Sequence, residues 1–166
     1  MPTTAGRRHP FAPNVLERLL AVGSIVLLCV VLTAIARGHA HWGQVPPLLW
    51  LHLVTIGVGL ALTPLMLLRP RGDRLHRRIG WVWAIAMFAT AAMSFGIRLS
   101  PGGAFSPIHI LSAVTVLAVP WMVWNARRHR VAKHRRTAQA LVLGALLIAG
   151  FFTFPFGRML GRWLLG

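Results

Sequence analysis

Acidic residues are almost missing from this chain: Glu17 and Asp73 are the only two in 166 residues. Paired-carboxylate catalysis and carboxylate proton relays need several acids at one site, and neither of these two lies within an apolar core. An acid-coupled pump is excluded with them. The single cysteine, Cys29, excludes an internal disulfide. No glycine-rich loop precedes a helix in the pattern that cradles phosphate, which argues against an ATP-driven machine. Charged residues make up 12% of the chain, about half the share usual in a soluble domain. No hydrolase or transferase constellation is left.

What the chain does have is hydrophobic residues, 56% of the total, and 18 Lys and Arg that give a formal charge of +16. A pI near 12.0 invites a nucleic-acid reading. Distribution rules it out, because the arginines cluster between long apolar runs. A hydrocarbon core of ~30 Å needs ~20 apolar helical residues, and five runs qualify: 19–36, 48–68, 79–97, 107–124 and 138–156. Bilayer-spanning backbone must satisfy its own hydrogen bonds, which runs of this length do only as helices. The first run is too long for the ~7–15-residue apolar segment of a signal peptide and reads as a retained helix. The expectation is an all-α integral membrane protein with five transmembrane helices. With the N-terminus inside, fourteen of the eighteen Lys and Arg fall on the cytoplasmic face. The positive-inside rule therefore puts the N-terminus in the cytoplasm and the C-terminus outside.

Residues 1–13 read as a disordered basic N-terminus and 14–36 as the first transmembrane helix. Residues 45–156 form a four-helix membrane core, and 157–166 a short interfacial tail. The seven tryptophans are expected at membrane edges, as interfacial indoles are. Within the core a pattern occurs twice: His52, Pro64, His76-Arg77-Arg78, and then His109, Pro120, His134-Arg135-Arg136. Both copies enter the membrane from one side. Helices two to five are thus expected to form a four-helix bundle with a pseudo-twofold hairpin repeat.

Depth pairs the histidines. His52 and His109 fall ~9–10 Å from the midplane on the outer side, and His76 and His134 ~18–20 Å towards the cytoplasm. Two imidazoles at one level on neighbouring helices can take a haem iron from both sides, or another metal. Gly57, Gly59 and Gly144 would admit a flat macrocycle, or else serve ordinary small-residue packing. Arginines beside the inner pair, Arg77 and Arg135, would meet propionates. The plainer roles are a hydrogen bond to a neighbouring helix for the outer pair and contact with lipid phosphates for the inner one. His39 and His41 in the outer loop offer two ligands, too few for a metal site. His9 and His129 read as parts of basic stretches. Glu17 and Arg18 read as an interfacial pair, and Asp73 as neutralised by a neighbouring arginine.

Four segments, His76-Arg77-Arg78-Ile79-Gly80-Trp81-Val82-Trp83, Phe105-Ser106-Pro107-Ile108-His109-Ile110-Leu111-Ser112, His134-Arg135-Arg136-Thr137 and Ile148-Ala149-Gly150-Phe151-Phe152-Thr153-Phe154 with Gly157-Arg158, together carry a resemblance. They are similar to an uncharacterised family of predicted bacterial membrane proteins, over roughly residues 45–166. Ala138 stands where that family usually has methionine, and Leu160 where relatives carry another histidine. The resemblance implies a multi-pass protein of the bacterial inner membrane and no established activity. In layout alone the four histidines also resemble the two-haem transmembrane cytochrome b group. There the second and fourth helices share one haem and the third and fifth the other.

The leading expectation is a transmembrane electron carrier with haem b, one or two, held by His52 with His109 and by His76 with His134. It would meet a redox partner, the lipid bilayer and anionic lipids at the cytoplasmic face, and no nucleic acid. The alternative is a haem-free membrane module, an assembly factor or complex subunit, to which the alanines of the third run would offer a partner surface. A small-molecule or lipid transporter hinged at Pro64 and Pro120 is the third reading.

Overall fold

A computed structural model describes residues 13–69, 72–97 and 107–166. The basic N-terminal stretch before Pro13, Pro70-Arg71 and the outer loop 100–103 lie outside the described residues, as does Phe105-Ser106 of the second motif. The fold is all-helical. Helix α1 spans Val15–Arg37 and opens on a capping box: Asn14 accepts the Glu17 backbone N–H at 2.8 Å, and the Glu17 carboxylate accepts that of Asn14 at 3.0 Å. A short 3-10 segment, His39–Gln44, leads to α2, Pro47–Leu68, where Pro47 occupies the first turn at no hydrogen-bond cost. Helix α3, Arg74–Ser94, starts at Asp73, whose carboxylate accepts the His76 N–H at 2.6 Å. Helix α4 covers Pro107–Arg127. Rod α5 is α-helical over Val131–Leu141, π-helical over Val142–Ile148, and closes with Ala149–Phe151. A turn then leads to α6, Met159–Leu165.

Three of these, α1, α2 and His109–Arg127 of α4, are long and apolar enough to cross a membrane. Helices α3 and α5 open on basic turns, with Arg74, Arg77 and Arg78 in one and Lys133, Arg135 and Arg136 in the other. The outside of the bundle is apolar like its core, and a few polar side chains are held inside. Val22, Val26, Leu51, Val54, Ile85 and Leu117 point outward and are exposed, while Ser24, Thr63, Thr90, Thr115 and Asn125 are buried. Hydrocarbon outside and hydrogen-bonding partners inside produce that arrangement. This is a multi-pass helical architecture of the membrane type.

Helix α2 packs between α1 and α3, α3 on α4, and α4 on α5, which closes the ring against α1 and α2. The centre is shut by Leu60, Met87 and Leu146, each at most 1% exposed. Gly59 makes the closure possible: a Cβ there would meet Met87 Sδ at 3.3 Å and Leu146 Cδ2 at 3.5 Å. Its glycine therefore serves side-chain packing rather than a macrocycle.

Trp83 is only 3% exposed, and its indole N–H donates to the Thr63 hydroxyl on α2 at 2.9 Å. The tail folds back onto α1 with Leu160 and Gly161 buried. That close approach needs glycine, since a Cβ at Gly38 would collide with the Trp163 ring and one at Gly161 with the Phe154 carbonyl.

Candidate functional site

The central plug separates two cavities, and each is lined by both members of one histidine pair. His52 on α2 and His109 on α4 line the outer one, with a volume of about 170 Å³. His76 on α3 and His134 on α5 line the inner one, of about 510 Å³. The depth-matching read from the sequence thus brings together the side chains it pairs.

In the outer cavity the polar groups are bonded to one another. His52 Nδ1 lies 3.1 Å from the Thr90 carbonyl on α3. A carbonyl only accepts, so in neutral His52 this nitrogen carries the proton and Nε2 keeps the lone pair. The Thr90 hydroxyl donates to that of Thr55 at 2.7 Å, which donates to the His52 carbonyl at 3.0 Å. Ser94 on α3 reaches Ser112 on α4 at 2.6 Å. His109 is buried, its ring 6.2 Å from that of Phe95. Arg158, after the turn that ends α5, also lines this cavity. The sequence reading passed over Arg158 as a site residue; its place in the Gly157-Arg158 motif was the available signal.

The inner cavity runs from the surface to the core. Arg77, Trp81, Arg127 and His129 are exposed at its mouth, whereas Thr63, Leu67, Met122 and Val142 are buried at its floor. His134 Nδ1 lies 3.2 Å from the Met122 carbonyl on α4, which holds its ring as Thr90 holds that of His52. The Arg127 guanidinium lies over Trp81, 5.4 Å from the ring centroid. His129, read as merely part of a basic stretch, lines this cavity too.

Arg77 is at the inner cavity, where the propionate expectation needs it. Arg135 is committed elsewhere. Its Nε and Nη2 donate to the two carboxylate oxygens of Glu17, each at 2.8 Å, and Gln139 adds a third bond at 3.1 Å. Glu17, 1% exposed, is thus clamped across the bundle to α5 rather than being a simple partner of its neighbour Arg18. Arg69 pairs with Asp73 at 3.3 Å, as the neutralised acid was expected to be.

Among the described residues no three His, Cys, Asp or Glu side chains come together as a metal-binding group. Cys29 is free, and His39 and His41 lie exposed in the 3-10 segment. Most alanines of α3 are also spoken for: Ala84, Ala86 and Ala91 are buried inside the bundle. No family model, curated protein or solved structure matches this chain. The motif resemblance stands on its four segments alone.

Proposed function

We infer that this protein is a haem-free membrane module, a subunit or assembly factor of a larger membrane complex, whose deep histidines hold helices together. One observation carries this: the outer pair, the deeper in the bilayer, lines only about 170 Å³ and His52 is bonded into the helix packing. Small-molecule sites usually offer ~300–1,000 Å³, so a macrocycle does not fit between His52 and His109 as they are packed. In this reading five helices span the bacterial inner membrane with the N-terminus and the arginine-rich loops in the cytoplasm, supported by the charge count and the motif resemblance.

The test joins purification with spectroscopy. The expected result is a stoichiometric partner that stays bound to His52→Ala and His109→Ala protein, and no Soret band. A Soret band with a reduced alpha band, abolished by these substitutions, would overturn the reading.

A second reading is favoured by the inner cavity. At about 510 Å³ it has room, and it is lined by His76 and His134. The Met122 carbonyl holds Nδ1 of His134 and leaves Nε2 to face a ligand, as second-shell bonds do for metal-binding histidines. There His76 and His134 would hold one haem b and Arg77 would meet a propionate; the haem would supply one-electron transfer. Loss of a Soret band on His134→Ala alone, with His109→Ala unchanged, is its signature. The transporter reading finds no support, since Leu60, Met87 and Leu146 close the path between the cavities.

A further inference from the structure

We propose that the inner cavity is a binding site for one anionic glycerophospholipid from the leaflet at the arginine-rich face. The mouth and the floor of the cavity differ in chemistry in the way such a molecule does. At the mouth, Arg77 on α3, one of whose N–H groups donates to the Gly72 carbonyl at 3.1 Å, and Arg127 on α4 both line the cavity, with His129 after them. No carboxylate lines the cavity among the described residues. The two acids of the chain are already bonded: Asp73 to Arg69 and the His76 N–H, Glu17 to Arg135 and Gln139. The positive charge at the mouth is therefore uncompensated by the protein, and a phosphodiester supplies the missing charge and acceptor oxygens.

Below the mouth the wall turns apolar. Met66, Leu67, Trp83, Met122, Ala138 and Val142 line the deep part of this cavity, which is about 510 Å³ in all, and lead to the central plug. A headgroup alone, or free inorganic phosphate, leaves that deep part unfilled; an acyl chain fills it. Trp81, exposed at the rim and covered by Arg127, sits where interfacial indoles meet lipid headgroups. A basic pocket between transmembrane helices is the usual form of a site for an acidic headgroup.

The experiment is native mass spectrometry of the full chain, delipidated in detergent and then offered phosphatidylglycerol, phosphatidylcholine or inorganic phosphate. Retention of a single phosphatidylglycerol in preference to phosphatidylcholine is expected, unaffected by inorganic phosphate. Arg77→Ala with Arg127→Ala should weaken retention about 25-fold, roughly fivefold per arginine near the membrane surface. Arg128→Ala with Arg136→Ala removes the same charge from exposed positions outside the cavity and should leave retention unchanged. Ala138→Leu fills the deep part without touching any charge and should also lower retention, with helicity by circular dichroism as the folding control. Equal losses in both arginine pairs, or full retention in Ala138→Leu, would mean attraction to surface charge and overturn the site. Displacement by inorganic phosphate would overturn the lipid as occupant. A haem mass retained in place of lipid would do the same and favour the second reading above.

Discussion

The two ends of the bundle solve the same problem, how to keep polar side chains in a membrane, by different means. The outer end, Arg158 apart, uses neutral groups that satisfy one another: His52 on the Thr90 carbonyl, Thr90 on Thr55, Ser94 on Ser112. Its cavity is correspondingly tight. The inner end uses charge: Glu17 gripped by Arg135 and Gln139, Arg69 on Asp73, and guanidinium groups over Trp81 and Trp124. At the headgroup depth proposed for the inner end, water and lipid phosphates would solvate what the protein leaves unpaired, which suits a wide and basic cavity. Closer to the midplane no such solvent exists. In the proposed orientation the histidine pair nearer the midplane lies in a tight, mutually bonded cavity and the other pair in a wide, basic one.

The strongest way to break this contrast is at the ionic clamp. Arg135→Ala leaves Glu17 buried with its main counter-charge gone, and breaking a buried pair in this way costs ~3–5 kcal/mol. Thermal unfolding in detergent should show it as the largest loss of any single substitution considered. Glu17→Gln combined with Arg135→Met removes both charges and should recover most of that stability. If Arg135→Ala is as stable as the parent, the inner end does not depend on charge.

Between the two ends, Trp83 and Thr63 test how much a neutral bond is worth in the core. Trp83→Phe removes the indole donor at 2.9 Å and enlarges the floor of the inner cavity. A loss of ~1–2 kcal/mol is expected, detected by unfolding in the same detergent. The outer end should respond less still. Ser94→Ala deletes the hydroxyl bridge from α3 to α4, and interhelical hydrogen bonds of this kind average ~0.6 kcal/mol in membrane proteins. A loss above that of Trp83→Phe would reverse the order of the two ends.

How much of this was legible beforehand follows from the range of each interaction. Run lengths and charge spacing are local, so the helices α1, α2 and α4 and the pairing of histidines by depth could be read directly from composition and counting. Arg77 at the inner cavity followed from its place beside His76. The Glu17 clamp could not be read, because its partner is 118 residues away and a closer arginine, Arg18, offered a simpler match. Trp83 is similar: it lies five residues after the basic stretch His76-Arg77-Arg78, and nothing local says that Thr63, on another helix, accepts its indole N–H. The π-helical stretch Val142–Ile148 has no composition of its own, since Val-Leu-Gly-Ala-Leu-Leu-Ile reads as plain α-helix; only its packing against α1, α2 and α4 distinguishes it. Volume was likewise invisible. Two histidine pairs that look alike in sequence line cavities that differ threefold in volume.

The gentlest probe of the contrast is pH, acting at the lip of the inner cavity. Asp73 caps α3 where Gly72 and His76 line that cavity. The His76 backbone N–H, and after it the Arg69 guanidinium, hold its carboxyl below the ordinary value of 3.8. A depressed carboxyl contributes stability that is fully present above the ordinary value and is lost as pH falls through the lower, folded-state one. Acid below about 3.8 should therefore loosen the first turn of α3, seen as lower amide protection factors at His76 and Arg77. The effect should be small, because the pair with Arg69 is solvent-exposed. Asp73→Asn keeps an oxygen acceptor for the cap while removing the titration, so its protection factors at these amides should not change over the same acid range. Thr90 and Ser94, at the other end of α3 from Asp73, should show no matching step. A step of equal size in Asp73→Asn protein, or at the outer residues, would mean that acid acts on the whole bundle and not on the charged end alone.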